Sequence, residues 1–157
     1  MSARYIYDHA PLGALIHFSD GTPRPPERHR RKLNDWKNRN GAGRLIAKEP
    51  PEHRPTYSFP GGFMLHMGDF GGAGTIVLRV RVSYSLDSTL AFEIAERPRA
   101  GMVRVLDRWA GRDELVHLAA DEAAANTWLT HHGYPKAVLE VVIDDEGAPR
   151  PDERRAA

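Results

Sequence analysis

Residues 22–48 hold nine Lys or Arg side chains against two acids, Glu27 and Asp35, a local balance of +7. The rest of the chain has thirteen bases and nineteen acids, so the total of +1 conceals one strongly cationic segment. Cations gathered this way suit the binding of an anionic partner, with nucleic acid first among the candidates. Arg supplies 18 of the 22 basic residues, and its planar fork matches phosphate in a bidentate way. A coding bias toward Arg and Ala explains the overall Arg content equally well, but it leaves the clustering unexplained.

Proline at 23, 25 and 26 precedes a polar stretch of helix formers, and Asn40-Gly41 closes it. Proline is tolerated in a first helical turn and Gly at the C′ position, so a helix is expected over residues 26–40. At about 100° per residue, His29, Leu33, Trp36 and Asn40 share a narrow sector. Leu33 and Trp36 alone can anchor the helix. Arg28, Lys32 and Arg39 flank the stripe on the Trp36 side, while Arg30 and Lys37 flank it on the other. Arg28, Arg31, Lys32, Lys37, Arg39 and Arg44 are the expected phosphate contacts, and Trp36 fixes the helix or stacks on an unpaired base. Asn34, Asn38 and Asn40 have amides suited to base edges or sugars. The alternative is a merely solvated face, or one neutralised by acids of the same chain. Arg79 and Arg81, projecting from one side of a strand, and Arg104 and Arg108 would extend the basic surface if neighbouring strands align.

Eight histidines raise a second chemistry. No His-x-x-x-His or His-Glu-x-x-His spacing occurs, and no metal site is expected. Asp8-His9, His17 with Asp20, and His66 with Asp69 are the possible acid–base pairs. A hydrolase-like site needs His17, His66 and Asp69 to meet. Residues 68–74 resemble a phosphate-binding glycine loop only superficially, because a strand rather than a helix follows them. There is no Gly-x-Ser-x-Gly motif and no cysteine, so a serine or thiolate nucleophile has no foothold. The balance favours a binding protein over an enzyme, and no cofactor is implied.

These side chains need a scaffold. A length of 157 residues with 41% hydrophobic and 27% charged content fits an ordinary globular domain. No apolar run of about 18 residues is present, so no membrane partner is expected. The first five residues lack a signal-peptide core, and a cytoplasmic location is the simple reading. Residues 4–7 and 14–18 read as an extended pair, and 44–48 as a strand. The proline-rich stretch 49–62 reads as an irregular loop able to close over a ligand. Residues 63–67, 75–84 and 89–94 read as strands, with a glycine turn at 68–74 and a hairpin turn at 85–88. Strands at 102–109 and 114–118, joined by a turn at 111–113, lead to an Asp121-capped helix at 122–131. A final strand covers 136–143.

The expected fold is α+β: a curved, mostly antiparallel sheet of seven or eight short strands with two helices, ending in a strand–helix–strand unit. Residues 1–143 form one domain and 144–157 a disordered polar tail. The expected function is binding of an anionic partner, most naturally nucleic acid, in an accessory or regulatory role. An interaction or inhibitor module for an acidic protein surface is the first alternative, and the His/Asp enzyme the second.

Overall fold

The computed structural model describes residues 1–72, 75–144 and 146. These contain three helices and ten strands, mixed α and β with antiparallel pairing. The α+β class therefore holds, with more strands and one more helix than expected. The chain divides into two compact units, Met1–Ala95 and Glu96–Ala157. No helix among the described residues is long and apolar enough to cross a membrane.

The first unit opens with a helix, α1 (Ala3–His9), where an extended segment was expected. Ser2 caps it, its hydroxyl accepting from the Tyr5 amide at 3.2 Å, and Pro11 forces Ala10 into an extended conformation that ends it. Ala3, Ile6 and Ala10 recur at helical spacing and are fully buried. Strand β1 (Leu15–Ser19) is followed by the basic helix α2 (Arg30–Arg39), which starts four residues later than expected. Pro26 accepts from the His29 amide in a turn at 3.0 Å, and the helix begins only beyond it.

Strand β2 (Gly41–Glu49) leaves α2 directly. Gly41 is a strand residue paired with Phe18, not the left-handed cap expected of it. The stretch read as a loop contains a small hairpin, β3 (Glu52–Arg54) with β4 (Tyr57–Phe59). Strand β5 (Gly62–Gly72) absorbs most of the expected glycine turn; residues 73 and 74 lie outside the described residues. Strand β6 (Thr75–Ser85) pairs with it.

Strand β7 (Ala91–Glu96) does not form the expected hairpin with β6. The sheet order is β6-β5-β2-β1-β7, which puts those two strands at opposite edges. The aromatic core supplies the reason. The Phe92 ring meets Phe63 and Tyr84 edge-on, each at 5.3 Å, and the Phe92 amide donates to the Met1 carbonyl at 2.9 Å. Ile16, Phe18, Leu45, Phe63, Leu65, Tyr84 and Phe92 form that core with the buried side of α1. Burial pushes the Tyr84 phenol up to about 12, and its hydroxyl has no hydrogen-bond partner among the described residues.

The second unit contains β8 (Val103–Trp109), β9 (Arg112–Ala119), α3 (Glu122–His131) and β10 (Ala137–Val141). Trp109 pairs with Arg112. The turn is thus Ala110-Gly111, both at positive φ (50° and 76°), as a two-residue hairpin of right-handed twist requires. Both β9 and β10 run antiparallel to β8, which lies between them, so they are parallel to each other across the α3 connection. Asp121 caps α3 as expected, accepting from the Ala124 amide at 2.8 Å. Ala125, Trp128 and Leu129 pack on Val103, Val105 and Ala119. The tail expected at 144–157 lies outside the described residues apart from Asp144 and Glu146. Glu146 accepts from the buried guanidinium of Arg104.

Candidate nucleic-acid interface

Helix α2 occupies the excursion between β1 and β2, and one side chain ties both ends of that excursion together. Asn40 Oδ1 accepts from the Ser19 hydroxyl at 2.6 Å and from the Asp20 amide at 3.2 Å. Its Nδ2 donates to Asp20 Oδ1 at 2.9 Å and to the Trp36 carbonyl at 3.0 Å. All of its ordinary hydrogen-bonding capacity is spent inside the chain. Asn40 is therefore structural, and the expectation that it reaches bases is corrected. Asp20 also accepts from the Thr22 amide and hydroxyl, at 3.0 and 2.6 Å. These bonds, with that from Asn40, lower its carboxyl to about 2, and the Arg39 charge adds to them.

The apolar anchors are as thin as the sequence suggests. Leu33 is buried and Trp36 half-buried. The Trp36 indole Nε1 donates to the Thr22 carbonyl at 2.8 Å, fastening the helix to the loop that precedes it.

Around these anchors Arg28, Arg30, Arg31, Lys32, Lys37 and Arg39 are all exposed. Arg24 pairs with Glu27 at 3.3 Å, and Arg28 Nε donates to His29 at 3.2 Å. Among the described residues Arg30, Arg31, Lys32, Lys37 and Arg39 make no ion pair. Several acids are engaged elsewhere: Asp69 with Arg79 at 2.9 Å, Asp113 with Arg108 at 2.6 Å, and Glu140 with Arg104 at 2.9 Å. Arg79, Arg104 and Arg108 are thereby partly neutralised.

Arg44 also stands apart. It is half-buried on β2, and its guanidinium donates to the Gly13 carbonyl rather than joining the helix surface.

The first turn of α2 sharpens the picture. It has no acidic residue, and His29 at the N-cap makes no side-chain capping bond. Instead the turn consists of Arg30, Arg31 and Lys32, three cations at the positive end of the helix dipole, where anions are favoured. Natural sequences break such local rules mainly at functional sites. Arg30 is the residue that the sequence reading left out of the contact set. Its signal was its place at the start of the helix, hidden while the start was assigned to the prolines.

Trp36 lines two clefts. One, of about 620 Å³, is polar and bordered by Thr22, Pro25, Lys32, Asp35 and Arg39. The other, of about 750 Å³, is mainly apolar and bordered by Met1, His17, Phe18, Phe92 and Glu93.

The His/Asp alternative separates in space. His66 Nε2 lies 2.8 Å from Asp69 Oδ1. Burial alone would raise the Asp69 carboxyl, but hydrogen bonds and charge from Arg79 and His66 outweigh it and hold it below the usual range. His17 is not part of this group. It sits on β1 opposite Ala42, whereas His66 sits on β5 opposite Arg44 of β2. Two interstrand steps, about 10 Å, lie between the backbones of β1 and β5, and among the described residues no hydrogen bond or ion pair joins His17 to His66 or Asp69. Among the described residues no cluster of three or more metal-ligating side chains forms.

The model of the family described as "Uncharacterised conserved protein UCP036055" matches residues 1–146. The chain belongs to this family. No curated protein and no solved structure matches the chain. The family match takes in both compact units and so covers α2, its tether at Asn40 and the two clefts beside Trp36.

Proposed function

We propose that this protein binds nucleic acid, in an accessory or regulatory role, through the exposed side of α2. Arg28, Arg30, Arg31, Lys32, Lys37 and Arg39 engage backbone phosphates, and Trp36 holds the helix in place. One observation carries the reading: the cations of α2 lie open to solvent and form no ion pair among the described residues, three of them in the first helical turn. An anion bound there relieves the repulsion among these side chains and the unfavourable dipole together.

The test is a titration of the whole protein with labelled DNA and RNA over a range of salt. Affinity falls steeply with salt, and each phosphate contact removed reduces the slope of log K against log salt by about 0.7–0.9. Changing Arg30, Arg31 and Lys32 together to Ala reduces that slope by about two to three. A flat salt response, or a triple variant indistinguishable from the parent, overturns the proposal. Capture of an acidic protein that survives nuclease treatment, with no nucleic-acid binding, transfers the surface to the alternative partner.

A further inference from the structure

The apolar cleft beside Trp36 has no role in holding phosphates, yet it adjoins the side chain that anchors the basic helix. We infer that the bound nucleic acid is single-stranded and that one of its bases enters this cleft and stacks on the Trp36 indole; this rests on the phosphate-binding reading above. At about 750 Å³ the cleft falls in the range that accepts small flat ligands. Its one accessible aromatic ring, that of Trp36, is fixed before any ligand arrives. Phe18 and Phe92 are closed off in the core against Tyr84, 3% and 2% exposed, and back the cleft without offering a ring face. The Trp36 indole is pinned through Nε1 to Thr22. A preformed aromatic site loses little entropy when a base stacks in it.

The charges around Trp36 set the direction of the strand. Lys32 and Arg39 border the polar cleft, whereas Glu93 borders the apolar one. A carboxylate repels phosphate but accepts hydrogen bonds from the amino groups of adenine, cytosine or guanine. Phosphates therefore lie on the Lys32 and Arg39 side and the base on the Glu93 side, with Trp36 between them. A duplex keeps its bases stacked inside and cannot place one behind a side chain in this way.

The experiment compares four probes by fluorescence anisotropy at one salt concentration: a single strand of about a dozen nucleotides, its duplex, an abasic strand of equal length, and a mononucleotide. The single strand binds about tenfold more tightly than the duplex or the abasic strand, and the mononucleotide binds far more weakly. Ala91→Trp places an indole in the cleft from an exposed position on β7. It lowers single-strand affinity to the abasic level while the salt slope is retained. Glu93→Gln, which leaves the cleft open, reduces the preference for amino-bearing bases over thymine. Equal binding of normal and abasic strands, or a mononucleotide as tight as the oligomer, overturns the base placement. If Lys32→Ala with Arg39→Ala still weakens every strand in that case, phosphate binding survives alone. If no probe shows salt-dependent binding, both readings fail.

Discussion

The Trp36 indole Nε1 donates to the Thr22 carbonyl across 2.8 Å, joining the last turns of α2 to the loop that leads into it. With Leu33 buried beside it, this one bond fixes how the cations of the helix are presented. Trp36→Phe keeps an aromatic ring and deletes the donor. The expected loss is about 1 kcal/mol of folding stability, read as a shift in the urea midpoint without a change in m-value. An unchanged midpoint would show that the helix is held by packing alone.

Asn40→Ala removes four hydrogen bonds at once from a buried position. Leaving such polar groups unpaired costs about 1–3 kcal/mol. The same variant weakens nucleic-acid binding, because the helix is no longer held against Ser19 and Asp20. A variant as stable as the parent contradicts the tethering role.

Asp20 gives this region a pH dependence of known sign. Its carboxyl lies at about 2, below its ordinary value of 3.8, so the folded state prefers it ionised. The associated stability is fully present above about pH 4 and is lost as pH falls through about 2. Thermal melts from pH 5 to pH 2 therefore show a decline that Asp20→Asn reduces. A decline of equal size in that variant assigns the acid sensitivity to other carboxylates.

Asp35 is exposed on α2 and borders the polar cleft with Lys32 and Arg39. Asp35→Asn removes a negative charge from a phosphate path and raises affinity about two- to threefold at low salt, with the gain fading as salt screens it. A loss of affinity would place the phosphates elsewhere on the helix.

Tyr84→Phe deletes a hydroxyl that is buried without a partner among the described residues and leaves the ring contacts with Phe18, Phe63 and Phe92 in place. Stability is expected to rise by about 1 kcal/mol. A destabilised variant would show that the hydroxyl has a partner.

What the sequence made legible was whatever local pattern decides. The Asp121 cap and the Ala-rich turns after it specify α3, and alternation specifies β6. The cationic helix was visible because charge clustering needs no knowledge of tertiary contacts. Ser2 at the cap of α1 was just as local a signal, but Tyr5, Ile6 and Tyr7 read as a strand because aromatic and β-branched residues favour sheets. Burial of Ala3, Ile6 and Ala10 against the sheet decides otherwise. The placement of β7 was beyond local reading. Its position across the sheet from β6 follows from where Phe92 finds Phe63 and Tyr84, residues far away in the chain. The hydrogen bond from Arg44 was equally out of local reach, since its acceptor, the Gly13 carbonyl, lies 31 residues earlier.

The Phe18–Gly41 pair closes the β1–β2 ladder directly beneath the excursion that carries α2. Removing residues 21–39 and joining the two strands through a short turn is therefore expected to leave the aromatic core and strand register in place, which circular dichroism and a urea melt of the shortened protein would check. The scaffold and the surface it displays are in that sense separable parts.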